Sequence, residues 1–263
     1  MSTLDLLLIN PGGRELIYQG LGGELTAVEP PLWSRLIAGY IVDRGFSTKI
    51  LDSEAENMGP ESVARAVAAE APRLVGLVVY GHQPSASTQQ MAGASLVCGA
   101  IKKLNPDQKI IILGGHVAAL PERTIQEEAV DFACNGEGPQ TVHGLLEVLK
   151  TGGDLSAAPG LVWRESDGVH SNPAPPLIQN LDADLHGNVW DMLPMQKYRA
   201  HNWQCFEDLE SRQPYASIYT SLGCPYKCSF CCINAPFGVN RYRMRSPEAV
   251  VNEVDFLYNR YGV

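Results

Sequence analysis

The sequence has no long apolar run. None of its windows approaches the roughly 18 apolar residues that a membrane span requires. The N-terminal stretch "MSTLDLLLINPGG" contains only a short apolar run, which Asp5 interrupts. No basic segment precedes this run, which therefore predicts a first β-strand and not a signal peptide. A protein with neither feature is expected in the cytoplasm.

Positive charge is also scarce. The 263 residues include 20 Lys and Arg against 29 Asp and Glu, for a formal charge of −9 and an isoelectric point near 5.1. An acidic chain is a poor binder of nucleic acid or of an anionic membrane surface, so we expect neither partner. The 45% hydrophobic and 19% charged residues are typical of a soluble globular protein of one large or two modest domains.

A disulfide framework is the third missing feature. The chain has seven cysteines, an odd number, and no secretory signal, so its thiols are expected to stay reduced. Cys98 lies in a predicted helix and Cys134 in a predicted strand, and both are interpreted as small buried hydrophobic residues. Four of the seven cysteines fall within nine positions, in the stretch "TSLGCPYKCSFCCINAPFG".

Residues 1–150 alternate short apolar runs with longer amphipathic stretches. The runs are mostly unalternated and rich in β-branched residues, as in strands that are buried on both faces. Five strands alternating with five helices predict an α/β domain, a Rossmann or flavodoxin-like doubly wound parallel sheet. The predicted strands are 4–10, 48–53, 74–81, 109–115 and 131–136, and the predicted helices are 32–44, 60–71, 87–104, 121–129 and 140–150.

The loops after four of these strands are small, polar and rich in glycine. Ligands bind over the carboxyl ends of the strands in such sheets, and glycine lets the backbone approach a bulky ligand closely. Ser87 and Thr141 are predicted N-caps of the helices that follow two of these loops. Glycine-rich turns also follow strands in α/β domains without a ligand, which stays an alternative for any single loop. The candidate binding residues are Asn10, Pro11, Gly81, His82, Ser85, Gly114, Gly115, His116, Gly136, Glu137 and Gly138.

Residues 151–212 break this pattern. The stretch "GLVWRESDGVHSNPAPP" predicts a β-hairpin with its turn at "SDG", and a proline-rich, weakly patterned stretch follows it. We interpret the segment as a linker and not as a further core. Trp190 and Tyr198 are predicted to anchor it against a neighbouring domain.

Cys224, Cys228 and Cys231 form a C-x3-C-x2-C motif. A set this compact faces one centre, and an iron–sulfur cluster is the usual occupant, because zinc favours two C-x2-C pairs or histidine ligands. Three thiolates on a four-iron cluster leave one iron open for chemistry. Cys232 is interpreted as a packing residue, with a fourth ligand as the alternative. Phe230 is interpreted as either a core residue or a stacking surface for a base.

The segment "CPYKCSFC" resembles the signature of radical S-adenosylmethionine enzymes. The resemblance implies a [4Fe–4S] cluster on the three cysteines, S-adenosylmethionine on the open iron, and Phe230 near its adenine. Residues 1–150 resemble the cobalamin-binding domain that precedes the barrel in one large subclass, through "GGHVAALPE" and "DFACNGEGPQT". The stretches "VWDMLPMQKY" and "RMRSPEAVVNEV" match the same subclass. The candidate binding residues in the loops would then contact cobalamin.

One element of many cobalamin domains is missing. These domains carry D-x-H-x-x-G after the first strand, and its histidine coordinates cobalt, whereas this chain has "NPGG" there. The stretch "DLHGNV" has Val189 where glycine is needed, and the resembling subclass usually lacks the motif too. His82 and His116 are interpreted as hydrogen-bonding loop residues, since no metal-ligand spacing links them. The resemblance therefore implies cobalt without a histidine ligand from the protein.

Residues 213–263 are interpreted as the incomplete start of a radical S-adenosylmethionine (β/α) barrel. The stretch "YASIYT" at 215–220 predicts a strand. The last stretch predicts a helix with Ser246 as N-cap, Pro247 in its first turn and Gly262 beyond its end. Its predicted apolar face consists of Val250, Val254, Leu257 and Tyr261. The chain is expected to be the N-terminal part of a longer protein and to be inactive alone.

The resemblance implies an enzyme that forms a 5′-deoxyadenosyl radical from S-adenosylmethionine. The expected reaction is methylation of an unactivated carbon in a small-molecule substrate, with flavodoxin or ferredoxin as the electron donor. Cyclisation or rearrangement in the same subclass is one alternative, and a non-catalytic cobalamin-binding module with a structural metal is another. An RNA methylthiotransferase is disfavoured, because it needs three N-terminal cysteines and only Cys98 and Cys134 precede the linker.

Overall fold

The fold is built on a seven-stranded sheet with the strand order β2-β1-β3-β4-β5-β6-β7. The computed structural model describes residues 4–18, 26–81, 86–205 and 208–263. Strands β1 to β5 are parallel, which confirms the predicted doubly wound sheet in its flavodoxin-like order. The strands are β1 Leu6–Asn10, β2 Thr48–Asp52, β3 Leu74–Val78, β4 Ile110–Leu113, β5 Phe132–Cys134, β6 Leu161–Glu165 and β7 Gly168–Ser171.

Helices cover both faces of this sheet. Helices α2 and α7 pack on one face and α3 to α6 on the other, so the central strands are buried on both sides. The helices are α1 Arg14–Tyr18, α2 Leu32–Val42, α3 Pro60–Glu70, α4 Ala86–Leu104, α5 Gly115–Ala119, α6 Pro121–Glu127, α7 Pro139–Thr151, α8 Leu181–Asp184 and α9 Pro247–Tyr261. None of these described helices is long and apolar enough to cross a bilayer.

Cys98 and Cys134 are fully buried in the two layers of core, as predicted. Burial raises the pKa of both thiols to about 12, because a thiolate would lose its hydration there. Neither thiol is therefore a nucleophile or a metal ligand at neutral pH.

The helix caps agree with the sequence at one of three predicted positions. Ser246 caps α9, and its side chain accepts a hydrogen bond from the backbone N–H of Ala249 at 3.1 Å. The cap of α7 is Gly138, whose φ of 109° turns the chain ahead of the helix, so Thr141 lies inside the first turn. Ser87 also lies inside its helix, where it is buried and links β3 to α5.

The predicted hairpin of the linker joins the main sheet. Strand β6 pairs antiparallel with β5, and β7 pairs with β6 and forms the edge. The apolar start of β6, Leu161 to Trp163, is buried. An unpaired β5 would leave a row of buried backbone groups without partners, and the hairpin supplies them. The linker thus contributes two strands to the sheet of the first domain.

The linker also packs through its aromatic anchors. Trp190 and Tyr198 are both fully buried, which confirms their predicted role. They share a small core with Val28 and with Leu257 of α9, so the linker lies between the first domain and the end of the chain.

The cysteines lie in the connection of a small antiparallel hairpin. Its strands are β8 Ser221–Gly223 and β9 Tyr242–Met244. The predicted strand at 215–220 is wrong, because these residues pair with no strand of the described structure and have no regular secondary structure. Gly223, next to the first cysteine, has a φ of +84°, and a Cβ there would overlap the carbonyl of Arg241. The loop therefore leaves β8 through a position that only glycine fits.

Helix α9 buries the predicted face in part, since Leu257 is buried and Val250 and Tyr261 are half-buried. Leu257 is buried, but Val254 is half exposed, and the most buried neighbour of Leu257 is the acidic Glu253. The carboxylate of Glu253 pairs with Arg35 of α2 and with Arg245, which explains its burial. The position of α9 is thus set by an ion network and not by an apolar stripe alone.

Candidate functional site

A cleft of about 400 Å³ lies where the carboxyl edge of the sheet faces the cysteine hairpin. Tyr80 and Gly81 reach it after β3, and Gly115 reaches it after β4. On the opposite side the cleft is lined by Leu222 of β8 and by Cys232. The predicted ligand edge and the predicted cluster loop therefore face one space.

A second cavity, of about 450 Å³, lies at the point where the strand order reverses between β1 and β3. Asn10 and Pro11 line it from the end of β1, and Gln90 lines it from α4. His201 and Trp203 of the linker form part of its wall. Glu29 lines both this cavity and the cleft, so the two spaces are neighbours.

The candidate loop residues divide into groups. Asn10 and Pro11 line the second cavity, and Gly81 and Gly115 line the cleft. Gly136, Glu137 and Gly138 line a third, small cavity of about 50 Å³ against the cysteine hairpin. Gly114 and His116 line none of these spaces. His82 and Ser85 lie outside the described residues.

Gly114 has a structural reason to be glycine. A Cβ at this position would overlap the carbonyl group of Val79, closer than real Cβ contacts come. Close to Gly114, the ring Nδ1 of His116 lies 3.2 Å from Thr88 Oγ1. The backbone N–H of His116 donates to the hydroxyl of Ser87 at 2.9 Å. These contacts hold β3, α4 and α5 together beneath the ligand edge.

We expect Gly114→Ala to lower the free energy of unfolding by about 1–3 kcal/mol, because the methyl group is forced against backbone. The matched control is Gly99→Ala in α4, where a Cβ meets no atom within 4 Å. That change should raise stability by about 0.5–1 kcal/mol. Urea unfolding of the two variants checks this, and equal stability of Gly114→Ala and the wild type would contradict it.

The sequence analysis missed two aromatic residues of the cleft. Trp33, at the start of α2, stacks on Tyr80 with the ring centroids 4.2 Å apart and the planes 18° from parallel. The hydroxyl of Tyr80 donates to the carbonyl of Glu137 at 2.7 Å. Trp33 and Tyr80 thus form an apolar surface of the cleft, and the hydrogen bond to Glu137 fixes this surface to the loop after β5. The available signal was an aromatic residue directly after β3, but nothing in the sequence pairs it with Trp33.

Glu137 connects the sheet to the cysteine hairpin. Its carboxylate pairs with Arg243 of β9 and accepts the backbone N–H of Ile178 at 3.2 Å. Burial raises the pKa of Glu137, and the Arg243 guanidinium opposes part of that shift. Its side chain therefore already has protein partners. Its predicted contact with cobalamin stays a prediction.

The cysteine loop is braced by two asparagines. The side chain of Asn234 accepts the N–H of Cys224 at 3.1 Å and donates to the carbonyl of Cys224 at 3.0 Å. Asn240 donates to the carbonyl of Tyr226 at 2.5 Å. Cys228 and Cys231 are exposed and Cys224 is half-buried, so the loop presents thiols outward from a fixed base.

The three thiols of the motif do not converge on one point in the described structure. In the described part of the chain, the Sγ atoms of Cys224, Cys228 and Cys231 do not all lie within 4.8 Å of one another. Tetrahedral zinc with bonds of about 2.3 Å would hold its sulfur ligands about 3.8 Å apart. A four-iron cluster binds each thiolate at a separate corner and needs no such approach.

Two residues of the loop differ from their simplest interpretation. Cys232 is not a packing residue, because it is exposed and lines the cleft. The reason is that the short helical turn after it, Ala235–Phe237, buries Phe237 instead. Phe230 is 91% exposed, which rules out a core position and leaves its ring free to stack on a ligand.

The second cavity and the cleft suit a large ligand with many amide groups, such as a corrinoid. Gln90 Oε1 is buried at the cavity and has no hydrogen-bond partner among the described residues. The amide of Asn10 lies in the same cavity, and the stacked rings of Trp33 and Tyr80 supply an apolar surface. Polar side chains beside an apolar surface are the lining that such a ligand needs.

Comparison with known proteins identifies the first part of the chain. The B12 binding domain family matches residues 18–146. An uncharacterized methyltransferase of Pyrococcus horikoshii is 30% identical over 264 residues, covering 100% of this chain and 52% of the relative. An anaerobic magnesium-protoporphyrin IX monomethyl ester cyclase of Synechocystis is 26% identical, covering 99% of this chain and 48% of the relative. The chain spans about half the length of these relatives.

The whole chain also has a counterpart among solved structures. The radical S-adenosylmethionine methyltransferase TsrM of Kitasatospora setae, solved with its tryptophan substrate and an analog of S-adenosylmethionine, superposes with a TM-score of 0.68. The match covers 98% of this chain and 46% of TsrM at 20% identity. TsrM has also been solved with cobalamin and a [4Fe–4S] cluster bound. At this identity the similarity shows the fold.

Proposed function

We propose that the chain forms the cofactor-binding half of a cobalamin-dependent radical S-adenosylmethionine methyltransferase, a proposal supported by the B12 binding domain match over residues 18–146 and by the similarity to the methyltransferase of Pyrococcus horikoshii. The methyl acceptor would be an unactivated carbon of a small molecule. The observation that supports this most directly is the cleft between the sheet edge and the cysteine hairpin, which Gly81, Gly115 and Cys232 line together. The cleft and the neighbouring second cavity together would then place a corrinoid beside the cysteine loop.

The bound cofactors would supply the chemistry. The cluster would provide the electron that cleaves S-adenosylmethionine, and cobalamin would provide the methyl group. The chain's own residues hold these groups in place. Cys224, Cys228 and Cys231 would ligate the cluster, and the exposed ring of Phe230 would stack near the adenine. Asn10, Pro11, Gly81 and Gly115 would face cobalamin, with Trp33 and Tyr80 excluding water from the cleft.

The cobalt would have no histidine ligand from the predicted loops. His116 is held in the loop by Thr88 and does not line either space. The other loop histidine, His82, lies outside the described residues, so the absence of a protein histidine on cobalt stays a prediction. His201 of the linker does line the second cavity, and its Nδ1 lies 3.0 Å from Asn202 Oδ1.

A cyclase is the second candidate function. It is favoured by the similarity to the Synechocystis cyclase over the full chain, at 26% identity against 30% for the methyltransferase of Pyrococcus horikoshii. Both reactions need the same cofactors in this half of the protein. Product analysis with the whole protein would distinguish them.

The electron donor and the compartment are part of the proposal. Cys228 and Cys231 are exposed, so a small donor such as flavodoxin or ferredoxin would reach the cluster directly. The compartment we propose is the cytoplasm, whose reducing conditions keep cysteines available as cluster ligands.

We expect the anaerobically reconstituted chain to bind hydroxocobalamin and four irons. Gly115→Trp should fill the cleft and weaken cobalamin binding more than about tenfold, because Gly115 has helical backbone that accepts a side chain. The matched control, Gly99→Trp on the exposed side of α4, should bind normally. Absorbance titration measures cobalamin binding, and iron analysis shows that the cysteine loop is intact. A wild-type chain without corrinoid absorbance would contradict the proposal.

A further inference from the structure

A buried tyrosine of the linker contacts the ligand edge of the sheet. Tyr198 is fully buried, and its hydroxyl donates to Oδ2 of Asp52 at 2.8 Å. Asp52 is the last residue of β2, directly beside Asn10 at the end of β1. The linker therefore reaches the carboxyl ends of two strands through one hydrogen bond.

Asp52 is held as a hydrogen-bond acceptor on both oxygens. Its Oδ1 accepts the side-chain amide of Asn10 at 2.8 Å and the backbone N–H of Ala55 at 3.2 Å. Burial raises the pKa of Asp52, while these hydrogen bonds and that of Tyr198 lower it. Three donors around one buried carboxyl group favour its ionised form in this arrangement.

These contacts determine how the amide of Asn10 is oriented. Because Nδ2 donates to Asp52, the amide oxygen lies on the opposite side of the planar group, and Asn10 lines the second cavity. The described residues provide no hydrogen bond for this oxygen. A fixed amide oxygen without a donor among the described residues can accept an N–H or O–H group from a ligand.

The linker continues along the same cavity after Tyr198. The backbone of Arg199 exchanges two hydrogen bonds of 3.0 Å with Val28, which fixes the segment against the first domain. His201 and Trp203 then line the cavity opposite Asn10. The linker therefore lines the cavity through His201 and Trp203. It also supports Asn10 through the hydrogen bond between Tyr198 and Asp52.

We infer that Asp52 and Tyr198 are positioning residues of the cobalamin site, which they serve by presenting the amide oxygen of Asn10 to the cofactor. The inference rests on the proposed function, because the ligand of the cavity is taken to be cobalamin. It adds that the linker is needed for full affinity, so residues 1–150 alone would bind cobalamin less tightly than the 263-residue chain.

The test is a double-mutant cycle on the affinity of the full chain for hydroxocobalamin, measured by absorbance titration. Tyr198→Phe removes only the hydroxyl and should raise the Kd by about tenfold, the effect of one hydrogen bond of ordinary strength. Asn10→Ala should raise it by at least as much. The double variant should bind like Asn10→Ala alone, because Tyr198 acts through Asn10.

Tyr219→Phe is the matched control. The Tyr219 hydroxyl is also buried and donates to the carbonyl of Leu185 at 2.5 Å, but Tyr219 lines neither the cleft nor the second cavity. Both tyrosine variants should lose similar thermal stability. Only Tyr198→Phe should change the Kd, which separates positioning from a general structural effect.

The outcomes are distinguishable. A wild-type chain that does not bind hydroxocobalamin overturns the proposed function, and the inference with it. If the wild type binds, the inference alone is overturned when Tyr198→Phe matches Tyr219→Phe in Kd, or when the effects of Tyr198→Phe and Asn10→Ala multiply. Asp52→Asn gives a further check, since it replaces acceptor oxygens by an amide and should raise the Kd at least as much as Tyr198→Phe.

Discussion

Alanine at Cys224, Cys228 or Cys231 is expected to abolish the four-iron cluster. Each change leaves only two thiolates in the motif. One iron of the cluster already has no protein ligand, and two thiolates are too few to hold the cluster. Anaerobic reconstitution followed by iron and sulfide analysis measures the loss. We expect about four irons per chain in the wild type and close to none in each variant.

Cys232→Ala is the matched control, since it removes an adjacent exposed thiol. It should retain the iron of the wild type, because Cys232 faces the cleft and adjacent cysteines rarely reach one metal centre without strain. Loss of iron in Cys232→Ala would show that Cys232 is a ligand and that the assignment of the three cysteines is wrong. Alanine at the buried Cys98 should likewise leave the iron unchanged.

Glu253→Ala is expected to lower the free energy of unfolding by about 3–5 kcal/mol. Glu253 is 4% exposed and pairs with Arg35 and Arg245, and its Oε1 also accepts the indole N–H of Trp190 at 3.0 Å. Removing the carboxylate leaves the buried guanidinium of Arg35 without a counter-charge and that of Arg245 with only Asp182, 3.9 Å away. The loss is a large fraction of the roughly 5–15 kcal/mol that stabilises a typical domain.

Urea unfolding followed by tryptophan fluorescence measures this loss, because Trp190 lies in the network. Glu248→Ala in the first turn of the same helix is the control, since Glu248 is exposed and should contribute at most about 1 kcal/mol. Glu253→Gln keeps a hydrogen-bond acceptor and should lose less than Glu253→Ala. An alanine variant within 1 kcal/mol of the wild type would contradict the proposed importance of the network.

The network also affects the site. Arg35 belongs to α2, which carries Trp33 at the cleft, and Arg245 follows β9 of the cysteine hairpin. Glu253 thus connects α2 with the segment that follows β9. The ion pair between Glu137 and Arg243 makes a second connection, between the sheet and the cysteine hairpin. Three buried ion pairs thus connect the carboxyl edge of the sheet and α2 with the cysteine hairpin and the segment after it.

The sequence by itself determined the sheet, its connections and the cysteine motif. Runs such as Leu6–Asn10 are apolar at successive positions, and such runs are stable only between two layers of helices. Helix α9 begins with Ser246 as its N-cap and Pro247 in its first turn, as the sequence predicts. The three cysteines of the motif are close in sequence, so their proximity needs no tertiary information. These features depend on neighbours within a few positions of the chain.

The tertiary structure alone decided which distant residues form the site. Asp52 and Tyr198 are 146 positions apart, and Arg35 and Glu253 are 218 apart. No local pattern marks a buried carboxylate, because a charged residue on a helix usually faces solvent and is buried only when a partner is present. The exposure of Cys232 and the pairing of β6 with β5 were decided in the same way. Whether a side chain is buried depends on which distant residues pack against it, and only the folded structure determines those residues.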